Sequence, residues 1–223
     1  MGKTHAIMLG NELRKDGIYM PYILSSSYDR CLETASAISL GMGHVPIFVE
    51  YGLSEGPQPP PPHTHMRIGS SEMQSIFPLL DTTRPSKTMP PHGEYTQQDV
   101  LPRCVEMGRF ASKFYASKKY KADVIFVTHG TVAIGMVAAM AQQSHESLND
   151  SLSKVQGCVA AGFYRLTPYM HAKDGIQWKT DFKCHSSHLP NQLQEKGTIT
   201  TPTCYVSGSS WFSLSQPRVP YEN

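Results

Sequence analysis

Nowhere in the chain does an apolar run approach the roughly 18 residues that a helical membrane span needs, so the expectation is no membrane partner. The opening residues Met1-Gly2-Lys3-Thr4-His5 lack the apolar core of a secretory leader. The Met-Gly start is followed at position 6 by alanine rather than Ser or Thr, which argues against myristoylation. Charge of one sign is also scarce. Twenty Lys and Arg against 18 Asp and Glu leave a formal +2, too little for a dedicated nucleic-acid binder. Cysteines are few, odd in number and scattered (Cys31, Cys104, Cys158, Cys184, Cys204). Without a close pair they suggest neither a disulfide framework nor a zinc site, but reduced thiols in a cytoplasmic protein. Nothing in the pattern calls for a metal or an organic cofactor.

What is present suits one substantial domain, or one domain and a tail: 223 residues, 39% of them hydrophobic. The organising stretch is Val124-Ile125-Phe126-Val127-Thr128-His129-Gly130-Thr131. Four apolar residues, mostly β-branched or aromatic, read as a strand buried on both faces. Thr128 and His129 end the run, and Gly130 turns the backbone into a helical pattern over 131–143. Open α/β sheets bind ligands there, where a strand's carboxyl end meets a helix whose first N–H groups attract anions. His129 is open between two readings at this level, a cap on a core strand or a proton-carrying site residue.

Upstream, Thr4 caps a helix to about Asp16, with Gly17 ending it and Leu9 and Leu13 on the buried stripe. Ala6 and Gly10 permit close packing. Tyr22 to Ser25 reads as a strand, and Ser27 as the cap of a helix that ends before Gly41 and buries Cys31, Ala35 and Ile38. Pro46 to Glu50 is the next strand. Helix, strand, helix, strand is the rhythm of a parallel sheet with crossover helices.

From Tyr51 to about Tyr95 the periodicity fails, and Pro59 to Pro62 favour an extended spacer or a docking ligand for an aromatic groove. His63, His65 and His92 have no acidic or cysteine partners at ligand spacing and read as a solvated loop. Thr96 with Asp99 resembles a capping box for a helix with Met107, Phe110 and Phe114 on one face and Pro102 near its start. The stretches 159–166 and 176–181 look like two late strands, an antiparallel pair at a sheet edge. A domain over 1–188 and a polar, disordered tail over 189–223 complete the expected layout, with Trp211 and Phe212 as possible docking points in that tail.

Two further residues belong with His129. Arg30 falls in the first turn of a helix directly after a strand, against the helix dipole, which hints at a bound anion unless a surface ion pair explains it. Glu55, in Gly52-Leu53-Ser54-Glu55-Gly56, follows the next strand. If the three strands are parallel neighbours, Arg30, Glu55 and His129 meet at one sheet edge. Arginine and histidine for a phosphate, with a carboxylic acid to protonate a leaving oxygen, make a phosphoryl-transfer set.

The strings SSSYDRCLETA, VEYGLSEG and VIFVTHGT resemble the histidine phosphatase, or phosphoglycerate mutase-like, superfamily, in which S-x-x-x-R-C-x-x-T-A follows a strand and a later strand ends in histidine. GLSEG, DTTRPSK and GEYTQQ are similar to GLFEW, DTTYRP and ESYDTY of the suppressor-of-T-cell-receptor-signalling phosphatases. The likeness covers roughly 4–185 and implies a three-layer α/β/α, mostly parallel sheet. It also implies a phosphorylated protein or small molecule as substrate, with Arg30 binding phosphate, Glu55 as general acid and His129 stabilising the transferring group.

One family motif is absent. The superfamily opens with a strand ending in Arg-His-Gly, whose histidine is the nucleophile, and no Arg-His-Gly occurs in these 223 residues. His5 falls by the likeness inside the following helix. The resemblance therefore implies a sheet without its first strand, a shortened form with little or no phosphatase activity, or a non-catalytic, phosphate-binding regulatory protein. It also implies an exposed apolar edge beside the strand that ends at His129.

Overall fold

The computed structural model describes residues 2–19, 21–55, 70–88, 97–116, 123–140, 163–171, 175–185 and 209–214. The run of strands and helices begins with α1 (Gly2–Lys15), β1 (Tyr22–Ser25), α2 (Asp29–Met42) and β2 (Ile47–Val49). A 3-10 turn over Tyr51–Leu53 and α3 (Ser70–Ile76) follow, then α4 (Gln97–Ala116), β3 (Val124–His129) and α5 (Gly130–Met140). The last strands are β4 (Phe163–His171), β5 (Gly175–His185) and β6 (Ser209–Leu214).

The sheet order is β2-β1-β3-β6-β4-β5. β1 lies between β2 and β3 and is parallel to both, with Ser25 opposite Val49 and Val127. Equal registers bring the carboxyl ends of all three strands to one edge. Period-two alternation then divides the core. Ile23, Ile47, Ile125 and Val127 pack with α1 and α2, while Leu24, Val124 and Phe126 pack with Met107 of α4 and Met136 of α5. Helices thus cover both faces, the three-layer α/β/α arrangement expected. The sheet as a whole is mixed, because β6 runs antiparallel to β3 and β5 antiparallel to β4.

Close helix contact sets the position of α2. A Cβ on Gly10 would lie 2.4 Å from the Ile38 carbonyl oxygen, and one on Gly41 2.4 Å from that of Ile7. Gly41 is therefore a crossing point inside α2 and not its end. The helix stops at Gly43, in the left-handed region at φ 91°. Ser27 does not cap α2 either: the cap position is Tyr28, and the buried Ser27 hydroxyl has no hydrogen-bond partner among the described residues.

Three expectations change further along. The irregular stretch after Tyr51 contains α3, whose Met73 is buried in the core with Phe77 and Leu80. Within the expected tail, Ser209–Leu214 is a strand paired with β3 over six residues, from Val124 opposite Leu214 to His129 opposite Ser209. The far edge of β3 is therefore paired, not open. The late strands do form an antiparallel pair and reach further than expected, to His171 and from Gly175 to His185. Thr96, Pro59 to Pro62, His63, His65 and His92 lie outside the described residues, as does the side chain of Phe114. Among the described residues no helix is long and apolar enough to cross a membrane.

Candidate active site

The shared strand edge delivers the site. His129 is the last residue of β3 and only 3% exposed. Arg30 occupies the first turn of α2, five residues beyond Ser25 at the end of β1. Glu55 stands two residues beyond the 3-10 turn that follows β2. The structure brings all three side chains into contact. Arg30 Nη2 is 2.8 Å from His129 Nδ1 and donates to Glu55 Oε2, which is itself 3.7 Å from Nδ1. The Arg30 and Glu55 side chains remain 22% and 41% exposed, so solvent reaches the pair while the imidazole is shut in.

The hydrogen-bond donors fix the state of the ring. A guanidinium has no lone pair, so Arg30 donates and Nδ1 must accept. The proton of the neutral imidazole is then on Nε2, where Ser26 Oγ accepts it at 3.0 Å. The Tyr28 N–H donates to the same hydroxyl oxygen at 3.4 Å. Burial holds the His129 pKa well below its usual value, and the charges of Arg30 and then Arg103 push it the same way. The Tyr28 ring stands edge-on to the imidazole, at 5.0 Å and 76°, and under the Arg30 guanidinium at 4.8 Å. One buried aromatic therefore braces both the neutral imidazole and the guanidinium.

Cys31 is close without being reactive. Its sulfur is 3.6 Å from His129 Nε2, and burial pushes the thiol up to about 12, against the opposing effect of Arg30. A thiol in that state is not a nucleophile.

Four contributing residues carried no functional expectation from sequence. Ser26 orients the imidazole. Thr128, beside it on β3, donates to the Leu53 carbonyl at 2.6 Å. Arg103 of α4, 8% exposed, donates to the carbonyls of Gly52 and Ser54. Glu50 is 1% exposed and collects donors from the 3-10 turn and from residues 86–88. The available signal was periodicity: Arg103 lies three residues from Val100 and four from Met107, on the buried stripe of α4, where an arginine is out of place. A cavity of about 430 Å³ between α1, α2 and α3, lined by Ile7, Ala37, Ile76 and Phe77 among others, includes none of the three site residues.

Chemically, the edge presents a planar fork of donors, an imidazole and a carboxyl group around one point, a set suited to a tetrahedral oxyanion. The family model for the histidine phosphatase superfamily (branch 1) matches residues 1–159. Among solved structures, the chain is similar to the ecdysone phosphate phosphatase from Bombix mori, in complex with tungstate. Identity is 22% over 65% of this chain and 56% of that one, with a TM-score of 0.53, so the chain spans little more than half that enzyme's length. It is also similar to mycobacterial hydrolase 1, at 19% identity over 83% and 85% of the two chains and a TM-score of 0.51. At such identities these structures bear on the fold alone. No curated protein matches the chain. With a family model spanning most of the sequence and two structures of like fold, the chain belongs to the histidine phosphatase superfamily.

Proposed function

We propose that this domain binds a phosphomonoester at the β1–β3 strand edge and that these 223 residues do not hydrolyse it. The observation that carries the reading is the Arg30 Nη2 to His129 Nδ1 contact of 2.8 Å, with the Glu55 carboxylate against both. Arg30 binds the phosphate oxygens through its fork. Glu55 is the acid placed to protonate a leaving alcohol. The Glu55 carboxylate accepts from Arg30, so it competes with a phosphate for the same guanidinium. His129 Nδ1 carries no proton and accepts from Arg30, so it takes up a proton before it can donate to a phosphate oxygen.

These groups bind and polarise, but none attacks phosphorus. His129 is buried and occupied at both ring nitrogens, and the Cys31 thiol is held protonated. A covalent route needs a nucleophile that Arg-His-Gly supplies in the family and that no Arg-His-Gly supplies here. The reading is thus a phosphate-binding member of a phosphatase superfamily. Its relation to the suppressor-of-T-cell-receptor-signalling branch rests on the motifs GLSEG (52–56), DTTRPSK (81–87) and GEYTQQ (93–98). The test is hydrolysis of an aryl phosphate by the purified chain. The expected rate equals that of His129→Ala, and turnover that His129→Ala abolishes would overturn the assignment.

A further inference from the structure

The turn that carries Glu55 is held from three sides by the buried side chains of Arg103, Thr128 and Glu50. From α4, a single nitrogen of Arg103, Nη1, donates to the carbonyls of Gly52 at 2.7 Å and Ser54 at 2.6 Å. From β3, Thr128 Oγ1 donates to the intervening Leu53 carbonyl at 2.6 Å. At the start of the turn, the Glu50 carboxylate accepts from the Gly52 N–H at 3.3 Å. It also accepts from Ser86 Oγ at 2.8 Å, the Lys87 N–H at 2.9 Å, the Thr88 N–H at 3.2 Å and Thr88 Oγ1 at 2.6 Å. Three consecutive carbonyls, 52 to 54, are therefore fixed by side chains from other elements, and residue 55 begins where that grip ends.

A guanidinium at this position gives up hydration that an apolar side chain on the same stripe would not. What it gains is two carbonyl bonds, one on each side of Leu53, which no apolar side chain can make. We propose that Arg103 is a positioning residue of the oxyanion site. By gripping the Gly52 and Ser54 carbonyls it sets the Glu55 carboxylate against Arg30 and His129. The inference rests on the reading of Arg30, Glu55 and His129 as a phosphate site, and it adds a residue from outside that site.

Its consequence is measurable without turnover. A Glu55 held against Arg30 competes with an incoming anion, and a Glu55 released from that position competes less. Arg103→Met also removes a positive charge, but that effect is common to proteins with Glu or Gln at position 55. The experiment is a double-mutant cycle: tungstate affinity by calorimetry for the wild type, Arg103→Met, Glu55→Gln and the double variant, with the thermal midpoint of each. The factor by which Arg103→Met weakens tungstate binding is expected to be at least about threefold smaller with Glu55 present than with Gln at that position. Arg103→Lys, which keeps the cation and its burial, serves if Arg103→Met does not fold, and is expected to show coupling of the same sign. Equal factors in the two backgrounds, within about 1.5-fold, with only the midpoint moving, would make Arg103 a structural residue and overturn the proposal. If the wild type binds no tungstate, or binds it as well after Arg30→Ala, the phosphate-site reading fails, and the positioning role with it.

Discussion

Arg30 and Glu55 reach one point by different physical routes. Arg30 follows from regular structure: β1 pairs on both edges, α2 starts four residues after it, and the Gly10–Gly41 crossing locks α2 against α1. Glu55 has no such frame. Its turn contributes no ladder, and its place depends on the Glu50, Arg103 and Thr128 side chains binding backbone groups. A site built on one rigid and one clamped segment should fail differently when each support is removed.

The largest effect is expected where the clamp is a buried charge. Glu50→Ala strands five donors around a buried position and is expected to cost about 3–5 kcal/mol in urea unfolding. A loss below ~1 kcal/mol would mean that the carboxylate's bonds do not hold the turn. Breaking the frame comes next. Gly10→Ala places a methyl on the Ile38 carbonyl oxygen and is expected to cost about 2–3 kcal/mol. Because it moves α2, it should weaken oxyanion binding through Arg30 while leaving the 50–55 turn intact.

Acid sharpens the comparison at the point where the two routes meet. His129 is neutral when folded and has its pKa depressed by burial. The unfolded chain therefore binds one more proton as soon as pH falls below the ordinary histidine value near ~6.5. Stability contributed by this residue is full above that pH and declines below it, by at most about 1.4 kcal/mol per pH unit. His129→Asn should remove that part of the acid slope in unfolding experiments at several pH values; an unchanged slope would contradict the burial account. The smallest effect belongs to Ser26→Ala. It should cost about 1 kcal/mol, and nitrogen NMR should still show His129 protonated at Nε2, because Arg30 keeps Nδ1 an acceptor; an Nδ1–H tautomer would refute that assignment.

The same contrast decides how much could be read from the sequence. The frame was legible because it is periodic: β3 from Val124 to Val127, β1 from Tyr22 to Ser25, and the packing role of Ala6 and Gly10. The three site residues were legible as residues at strand ends, and the structure does place them in contact. The clamps were not, because they join positions far apart: Glu50 to Ser86 and Thr88, Arg103 to Gly52 and Ser54, Thr128 to Leu53. No local pattern encodes a side chain bonding a distant carbonyl. The misplaced boundaries have a similar origin. Ser27 has the composition of a helix cap, yet Tyr28 takes that place and packs its ring against His129. Gly41 looks like a helix stop, yet α1 needs a glycine there and the stop moves to Gly43. β6 was missed because its polar flanks hide a short apolar pair, Trp211 and Phe212, opposite Val127 and Phe126.

Arg30 and His129 together should hold an oxyanion, which tungstate titration of the purified chain before and after Arg30→Ala would reveal. One tungstate should bind the wild type, and loss of a charge-assisted fork should weaken binding by about 10-fold to 100-fold. Equal affinity in the two proteins would contradict the account.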